Sequence, residues 1–512
     1  MAIDDLVVET SYGPVRGGQH EGVKAWKGLR YAAAPVGELR FRAPEPPAPC
    51  AEVADATAFG PACPQPVFPN LPIDLGAPQG EDCLRLNVWA SSGTKPGGAK
   101  PVMVWVHGGA YVLGSSSQTL YDGRRLVSRG DVVVVTVNYR LGALGFLDLS
   151  SLDIAGPRFD SNVGLRDVLA ALEWVRDNIA AFGGDPRRVT LFGESAGAAI
   201  VTTLLASPAA EGLFARAIAQ SSPATSVYDR ERAGRVARAF LDRLKITPSE
   251  SQRLVEIPTA AILAASQRVF DDVPVRNPGT LAFVPIVDGD VLTDYPVKLA
   301  QEGRSHPVPL IIGTNKHEAM LFRLLRSPLM PITPRAITSL FNQIAAEQPD
   351  LQLPTEEEIV STYSGLRRRA RSLSIATDVG FRMPSVWLAE GHARVAPVYL
   401  YRFDYATPLL KLTIGAAHAT ELPYVWGNLG APKDPTLMLG GTKSAKAVSK
   451  RVRTRWINFA ANATPAGPTG EPQWTPYTDE RSCLIIDRRD ALAHDVDANI
   501  RAAWGSEMVS FR

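Results

Sequence analysis

Short apolar runs alternate with longer amphipathic segments along most of this chain. Several of the short runs are apolar at consecutive positions, and β-branched residues are frequent in them. A strand has no polar face when helices cover both sides of its sheet, so this pattern is typical of a mainly parallel, buried sheet. The predicted strands are 85–91, 101–108, 131–139, 188–193, 215–222, 308–314 and 397–405.

Two of the segments between the predicted strands have the period of a helix. Residues 162–182 place Leu165, Val168 and Leu172 on one face, and residues 444–462 have a similar pattern. Strands that alternate with helices predict an α/β fold. We therefore expect a large, mostly parallel and twisted central sheet that is flanked by helices.

Three other regions depart from this alternation. The first 60 residues predict a small antiparallel hairpin unit that precedes the main sheet. Residues 43–80 are rich in proline and glycine, which is typical of a surface loop. Residues 225–395 are predicted to be mostly helical insertions over one end of the sheet. No linker divides the chain convincingly, so we expect a single domain over 1–512.

The composition excludes several classes of protein. The 512 residues include 54 basic and 52 acidic ones, and no long block of like charge occurs, so we expect no nucleic-acid partner. The first residues lack the cationic start and apolar core of a signal peptide. No run approaches the roughly 20 apolar residues of a membrane span. We therefore expect no membrane partner and a cytoplasmic location, with secretion left open.

The cysteines give only a weak indication of function. Cys50, Cys63, Cys83 and Cys483 are too few and too scattered for a disulfide scaffold or a zinc site. Cys63 and Cys83 could close a loop, but the sequence does not give their redox state.

The stretch Gly-Glu-Ser-Ala-Gly at 193–197 follows a predicted strand and precedes a predicted helix. This context predicts a sharp turn with Ser195 at its apex and the serine hydroxyl pushed away from the sheet. Small residues are needed at Gly193 and Gly197, because side chains there would collide with the neighbouring strand or helix. We expect Ser195 to be a nucleophile, and the alternative is a tight turn that only needs small residues.

A second glycine motif supplies hydrogen-bond donors. An apolar strand ends in His107-Gly108-Gly109-Ala110, which is typical of an oxyanion loop. We expect the backbone N–H groups of Gly109, Ala110 and Ala196 to converge on a substrate oxygen. The ring of His107 is then expected to brace the loop.

The serine also needs a base, because its hydroxyl is too weakly acidic at neutral pH. Seven histidines are available, and two of them, His418 and His494, follow strand-like runs late in the chain, where this arrangement places its base. His418 lies among small residues that leave room for a substrate. His494 lies among charges that are typical of a solvated face, so His418 is the predicted base.

The third member of a triad should be an acid between the serine and the histidine. Glu318 follows the predicted strand 308–314, at the edge where the nucleophile is expected. Its predicted role is to hold the imidazole in one tautomer and to stabilise the imidazolium. The rival acids are Asp288, Asp378 and Asp404.

The chain resembles the carboxylesterase type B family, the α/β hydrolases that include liver carboxylesterases, cholinesterases and bacterial esterases. The resemblance covers nearly the whole chain and implies the α/β-hydrolase fold. It rests on seven ordered blocks, which are FRAPEPP, EDCLRLNVW, VWVHGGAYVLGS, VVVVTVNYRLGALGFL, FGGDPRRVTLFGESAGA, GTNKHEAM and GAAHATELPYVWG. It implies a Ser195–His418–Glu318 triad, in agreement with the choice made from the residues, and no metal or organic cofactor.

The resemblance also implies roles for residues around the triad. Structural ion pairs are expected between Arg40 and Glu81 and between Arg140 and Asp167. Family members often join the cysteines that correspond to Cys63 and Cys83, and we leave this bridge open. Two further residues are expected close behind the catalytic groups, namely Glu194, which supports the electrostatics, and the hydroxyl of Ser221, for which a bland core role is an equal alternative.

The predicted function is a serine carboxylesterase that hydrolyses carboxylic esters through an acyl-enzyme intermediate. The alternatives are an amidase, carbamate or lactone hydrolase with the same triad and, as a different class, a non-catalytic esterase-like binding protein. We expect a small-molecule ester as the partner and a monomer or weak homo-oligomer. The candidate pocket walls are Tyr111, Leu113, Phe322, Leu325, Phe381 and Trp426.

Overall fold

An eleven-stranded sheet forms the centre of the molecule, and a three-stranded sheet lies beside it. The computed structural model describes residues 5–68, 73–152, 159–347, 349, 354–430 and 441–505. In chain order the strands are β1 (Val7–Thr10), β2 (Gly13–Arg16), β3 (Gly18–His20), β4 (Val23–Arg30), β5 (Ala54–Asp55), β6 (Arg85–Ser91), β7 (Lys100–Val106), β8 (Val133–Val137), β9 (Gly184–Glu194), β10 (Arg216–Gln220), β11 (Leu310–Asn315), β12 (Val398–Phe403), β13 (Ser482–Ile486) and β14 (Ala491–His494).

The large sheet is parallel in its middle and antiparallel at both edges. Its order is β14-β13-β12-β11-β10-β9-β7-β8-β6-β4-β3. The strands from β13 to β8 run parallel, whereas β14 on one side and β6, β4 and β3 on the other pair antiparallel. Because the central strands share one direction, their carboxyl ends meet at one edge of the sheet.

Helices cover both faces of this sheet. Their bounds are α1 (Arg124–Val127), α2 (Gly142–Phe146), α3 (Val163–Asn178), α4 (Ala196–Leu204), α5 (Arg230–Leu244), α6 (Thr259–Arg276), α7 (Pro296–Gln301), α8 (Ala319–Leu324), α9 (Pro334–Glu347), α10 (Glu356–Thr362), α11 (Arg368–Thr377), α12 (Met383–His392), α13 (Pro408–Thr413), α14 (Leu422–Trp426), α15 (Thr442–Asn462) and α16 (Ala498–Trp504). No helix in these described stretches combines the length and apolarity that a bilayer crossing needs.

Alternate side chains of the central strands belong to two separate apolar clusters. On β7, Val102 and Val104 pack in the cluster that contains residues of α3 and α4, whereas Met103 and Trp105 pack in the cluster that contains residues of α14 and α15. All four side chains are completely buried. A strand with two buried faces has no polar positions, which explains the continuous apolar runs in the sequence.

The seven predicted strands are all present, as β6 to β12, with ends that shift by a few residues. The predicted helices over 162–182 and 444–462 are also present, as α3 with a following 3₁₀ turn over Ile179–Phe182 and as α15. The segment 225–395 contains helices α5 to α12, as predicted, with β11 among them. The edge strand β14 and its neighbour β13 were not predicted.

The prediction for the first 60 residues was wrong in one respect. Only β1 and β2 form a separate unit, together with β5. The hairpin of β3 and β4 joins the large sheet, because β4 pairs antiparallel with β6. Within the predicted surface loop over 43–80, Ala62 and Cys63 are buried, so this loop is partly packed into the core.

Two buried ion pairs lie where the family resemblance implied them. Arg40 donates to both carboxylate oxygens of Glu81, at 2.9 and 2.6 Å. Arg140 donates to both oxygens of Asp167, at 2.8 and 2.6 Å, and its backbone N–H donates to Oδ2 as well. Such two-point geometry is the strong form of an arginine–carboxylate interaction.

The bridge between Cys63 and Cys83, which the sequence left open, is absent. All four cysteines are free thiols, and only Cys50 is exposed. A hydrogen bond with Cys63, together with burial, holds the pKa of the Cys83 thiol well above its usual value. The Cys83 thiol is therefore protonated and unreactive at neutral pH.

Candidate active site

The turn between β9 and α4 places Ser195 at the carboxyl edge of the sheet. Ser195 has φ 56° and ψ −123°, a combination that L-amino acids rarely adopt. Its backbone N–H donates to the carbonyl oxygen of Gln220, the last residue of β10, at 2.9 Å. This bond helps to hold the strained residue in place, as expected for a serine at the apex of a sharp strand-to-helix turn.

The glycines around Ser195 are required by close backbone contacts. A Cβ atom on Gly193 would lie 2.6 Å from the carbonyl carbon of Gly197, and a Cβ on Gly197 would lie 2.1 Å from the carbonyl oxygen of Val106. A Cβ on Gly108 would lie 3.1 Å from the Cβ of Ser195. The collisions at Gly193 and Gly197 are those that the sequence predicted, and Gly108 shows in addition that the loop after β7 packs directly against the serine turn.

The imidazole of His418 lies between the predicted serine and the predicted acid. Its Nε2 is 2.8 Å from Ser195 Oγ, and its Nδ1 is 2.7 Å from Glu318 Oε2. Glu318 is completely buried and His418 is 6% exposed. Three residues that are distant along the chain thus form one continuous line of hydrogen bonds, with the geometry of a serine nucleophile, a base and an orienting acid.

The carboxylate of Glu318 is fixed by two further donors. The hydroxyl of Ser221 and the backbone N–H of Asn315 both donate to Oε1, each at 2.6 Å. With Oε1 occupied, Oε2 is the oxygen that faces His418. Ser221, for which a bland core role was an equal alternative, therefore contacts the acid directly, from a backbone with φ 52°.

Glu194 brings a second carboxyl group to the imidazole. Its Oε1 lies 3.2 Å from His418 Nε2, and the residue is 3% exposed. Burial raises the pKa of Glu194 to about 8. Burial on its own lowers the pKa of His418, but the charges of Glu194 and Glu318 outweigh it and raise this pKa to about 9. The two groups interact closely and titrate as one coupled cluster.

The predicted oxyanion loop has an unusual backbone. Gly109, Ala110 and Tyr111 have φ values of 121°, 51° and 62°, in a region that residues other than glycine rarely adopt. Ala196, the third predicted donor, is the first residue of α4, where backbone N–H groups have no partner within the helix. The loop approaches Ser195 through Gly108, and the helix start follows Ser195 directly in the chain.

His107 is placed to brace that loop. The ring is buried and stacks on Tyr139, with 4.6 Å between the ring centroids. Burial lowers the pKa of His107 to about 4, so the ring is neutral at pH 7. Its Nδ1 lies 2.8 Å from the carbonyl oxygen of Gly108, and Tyr139 Oη donates to the carbonyl oxygen of His107 at 2.7 Å.

Two aromatic rings cover the imidazole of His418. The ring centroids of Phe381 and Phe322 lie 4.6 and 5.2 Å from that of His418. Phe381 belongs to a single π-helical turn over Asp378–Arg382, which is inserted between α11 and α12. Both phenylalanines were predicted as pocket walls, and both lie next to the reacting groups.

Two other predicted walls lie elsewhere. Tyr111 and Trp426 are completely buried in the apolar clusters on opposite faces of the sheet, and Trp426 packs against Trp105 at 5.3 Å. They are core residues, because neither side chain has a solvent-accessible face. Leu113 is a partly buried residue that packs against the first cluster.

The rival base and acids are engaged away from the triad. His494 lies half-exposed on the edge strand β14, with Glu480 as its neighbour. Asp288 accepts from Ser161, Asp378 from Tyr363, and Asp404 from Arg402. Across the described parts of the chain, no three His, Cys, Asp or Glu side chains form a group that could hold a metal ion.

Sequence reasoning missed three polar residues behind the triad, Gln220, Asn315 and Glu421, which are all almost completely buried. Gln220 and Asn315 are the last residues of β10 and β11, and Glu421 follows His418 by three positions. The position of the two amides at strand ends beside the predicted acid and base was the only signal available.

Comparison with known proteins gives a consistent result. The model of the carboxylesterase family matches residues 4–503. A para-nitrobenzyl esterase of Bacillus subtilis (strain 168) is 39% identical over 506 residues, which cover 97% of each chain. Carboxylesterase 5A of Felis catus is 34% identical over 517 residues, which cover 95% of this chain and 91% of the relative.

Solved structures agree with the sequence comparisons. A Geobacillus stearothermophilus carboxylesterase superposes with a TM-score of 0.85 at 37% identity, over 98% of this chain and 100% of that one. A PNB esterase superposes with a TM-score of 0.83 at 38% identity, with the same coverage. The fold is therefore that of an α/β hydrolase. On these matches, the chain belongs to the carboxylesterase family and is a carboxylic ester hydrolase.

Proposed function

We propose that Ser195, His418 and Glu318 carry out ester hydrolysis as nucleophile, base and orienting acid. The observation that supports this most strongly is the position of the His418 imidazole, with 2.8 Å to Ser195 Oγ and 2.7 Å to Glu318 Oε2. With Glu318 accepting from Nδ1–H, the free electron pair of a neutral imidazole is on Nε2 and faces the serine hydroxyl.

The first half of the reaction acylates the serine. His418 Nε2 takes the proton of Ser195 as Oγ attacks the ester carbonyl carbon, and a tetrahedral oxyanion forms. The oxyanion accepts hydrogen bonds from the N–H groups of Gly109, Ala110 and Ala196; one such donor is worth about 3 kcal/mol in the transition state. His418 then gives its proton to the alcohol oxygen, the carbon–oxygen bond breaks, and the alcohol leaves.

The second half releases the acid. Water attacks the acyl carbon while His418 takes one of its protons, and the second tetrahedral intermediate collapses with return of that proton to Ser195 Oγ. The carboxylic acid leaves and the free enzyme is restored. Glu318 stabilises the imidazolium in both halves, and Ser221 and Asn315 keep its carboxylate in place.

The proton on Glu194 is part of this proposal. The carboxylate of Glu194 holds His418 in its protonated form, which cannot act as a base. Burial raises the pKa of Glu194, so part of the Glu194 population is protonated near pH 7, and a neutral Glu194 does not raise the pKa of His418. We propose that this shared proton leaves part of the His418 population neutral, and so active, near pH 7.

The rings of Phe322 and Phe381 favour an ester with an apolar or aromatic group. They form an apolar surface next to the reacting imidazole, and aromatic groups pack well on such faces. One relative is named for para-nitrobenzyl esters. We propose that this enzyme also hydrolyses esters of this class.

The test is the pair Ser195→Ala and Ser222→Ala, assayed with para-nitrobenzyl and p-nitrophenyl esters of increasing chain length. Ser195→Ala should lower kcat by about a million-fold. Ser222→Ala is the matched control, because its buried hydroxyl contacts Thr202 and not the triad. A fluorophosphonate probe should label the wild type at Ser195 alone, and unlabelled but active enzyme would refute the proposal.

The same assay distinguishes the alternatives. Anilides and carbamates are run beside the esters, because the triad can in principle attack all of them. We expect esters to react fastest. Faster turnover of an anilide, carbamate or lactone would replace the ester proposal, and a chain that binds esters without turning them over would be a binding protein.

We also propose that the chain folds as one domain over 1–512 and acts in the cytoplasm as a monomer or weak homo-oligomer without a nucleic-acid partner. The near-balanced charge supports the last point, and the match to a bacterial esterase is compatible with the location. Light scattering after size-exclusion chromatography tests the oligomeric state, and a single cooperative unfolding transition tests the single domain.

A further inference from the structure

Three buried polar side chains behind the triad form a hydrogen-bonded group, and the mechanism above uses only the backbone N–H of one of these residues, Asn315. We call Gln220, Asn315 and Glu421 the amide brace. Gln220 Nε2 donates to Glu421 Oε1 at 3.0 Å, and Asn315 Nδ2 donates to Glu421 Oε2 at 2.5 Å. Gln220 and Asn315 are completely buried and Glu421 is 1% exposed. Burial raises the pKa of Glu421.

The orientation of both amides is fixed by additional partners. The indole N–H of Trp456 donates to Gln220 Oε1 at 3.1 Å. An indole nitrogen can only donate, so the NH₂ group of Gln220 must face Glu421. Asn315 Nδ2 also donates to the carbonyl oxygen of Ala417 at 2.7 Å, which fixes the NH₂ group on that side. Both amides therefore present donors to one carboxylate.

The brace contacts each of the three loops that carry the triad. The carbonyl oxygen of Gln220 accepts from Ser195 N–H, and the backbone N–H of Asn315 donates to Glu318 Oε1. The side chain of Asn315 holds the carbonyl oxygen of Ala417, the residue before His418. Glu421 begins the turn into α14 three residues after His418.

We propose that Gln220 and Asn315 are positioning residues, which act through Glu421 to fix the positions of Ser195, Glu318 and His418 relative to one another. This inference rests on the proposed triad. The side chains of Gln220 and Asn315 bond Glu421, Trp456 and the Ala417 carbonyl oxygen, not Ser195 Oγ or the His418 imidazole, and they carry no charge, so their effect comes through geometry. A displacement of about 1 Å between reacting groups lowers turnover about a hundred-fold, because the bound state is then no longer aligned for attack.

The burial of the brace explains why two amides are used. Glu421 has no arginine or lysine partner in the described parts of the chain, so its oxygens rely on neutral donors. Asn315 Oδ1 has no hydrogen-bond partner among the described residues, so this side chain contributes only its donors. Asn315 leaves this buried acceptor unsatisfied while its NH₂ group donates to Glu421 and to the Ala417 carbonyl oxygen. An unsatisfied buried acceptor costs stability, so the arrangement fits a functional requirement better than a packing one.

The test uses substitutions of similar size that remove the donors, Asn315→Leu and Gln220→Met. The second also removes the acceptor of the Trp456 indole N–H. We expect kcat to fall ten- to a hundred-fold with KM changed less than three-fold, because the brace aligns the reacting groups and does not touch the substrate. A second readout is the low-field proton resonance of His418 Nδ1–H, which should weaken or shift in both variants because the Glu318 contact loosens.

The matched control is Asn178→Leu. Asn178 is 3% exposed, and its amide bonds Ser11 and Trp174, neither of which belongs to a triad loop. This variant removes buried amide hydrogen bonds at the same cost to packing. It should lower the melting temperature while kcat and the low-field resonance stay as in the wild type.

The outcomes separate the inference from the proposed function. Brace variants that lose stability like Asn178→Leu but keep wild-type kcat and resonance would show a purely structural role and overturn the inference. If Asn315→Leu does not fold, Gln220→Met and the smaller change Asn315→Ser decide the question by the same measurements. Ser195→Ala is run alongside, and if it remained active, the triad itself would be refuted and not the brace.

Discussion

The molecule contains two kinds of buried charge, and they are built differently. In the Arg140–Asp167 pair, one guanidinium meets one carboxylate through two hydrogen bonds of 2.6 and 2.8 Å. Around His418, three carboxyl groups, those of Glu194, Glu318 and Glu421, surround a single imidazole. The pair is balanced in charge, whereas the cluster has more acids than bases.

This difference distinguishes buried charges with a structural role from buried charges that can exchange protons. A balanced pair with an arginine keeps its protons at every working pH, because a guanidinium does not deprotonate in proteins. A cluster of carboxyls around one imidazole holds groups with pKa values of about 8 and 9, so protons move within it near neutral pH. Exchangeable protons are therefore found where buried carboxyl groups outnumber basic groups. Fixed charges are found where one arginine meets one carboxylate.

The sharpest test of this comparison changes one carboxylate in each kind of site. Glu318→Gln should lower kcat about ten-thousand-fold, because an NH₂ group facing Nδ1 enforces the tautomer that leaves no acceptor on Nε2. Glu81→Gln, in the Arg40 pair, should change kcat less than three-fold. The measurement is steady-state turnover of one p-nitrophenyl ester, and equal losses in the two variants would erase the distinction.

The balanced pair should matter for stability. Asp167→Asn leaves the buried guanidinium of Arg140 without its counter-charge and should lower the free energy of unfolding by about 3–5 kcal/mol. Asp177→Asn removes half of an exposed pair with Arg176 and should stay within about 1 kcal/mol of the wild type. Urea unfolding of both variants checks this, and a small effect at Asp167 would mean that the pair contributes little.

The smallest expected effect is a shift of pH dependence. His418 must be neutral to accept the serine proton, so kcat/KM rises as pH increases through its pKa. The Glu194 carboxylate raises this pKa; Glu194→Gln removes that charge and should move the acidic limb of the kcat/KM profile to lower pH. A limb that stays in place, or moves to higher pH, would show that Glu194 does not act on His418 electrostatically.

The sequence was sufficient for the central sheet and for bringing Ser195, His418 and Glu318 together. The runs that became β7, β8 and β11 are apolar at consecutive positions, and that pattern depends on local composition alone. Ser195 and Glu318 follow such runs directly, so their place at one edge of a parallel sheet could be inferred. His418 needed an argument by elimination, since a lone histidine in a loop has no periodicity.

The features that sequence reasoning missed depend on pairing between distant segments. The pattern of β4 predicts a hairpin but cannot specify that its free edge pairs with β6. The strand β13 is short, lies near one edge of the sheet and is followed by charges. Gln220, Asn315 and Glu421 have no spacing that links them, and only the fold brings them together. Tyr111 and Trp426 are aromatic residues next to site motifs, and nothing local distinguishes a pocket wall from core.

The backbone of Ser195 has a consequence for how this protein can change. A non-glycine residue at φ 56° and ψ −123° costs free energy, on the order of 1–3 kcal/mol, in every folded molecule. Glycine tolerates such angles, so a variant with glycine at position 195 would be more stable but would have no turnover. Selection for thermal stability alone favours glycine at this position. Only selection for the reaction keeps a serine hydroxyl at the apex of the turn.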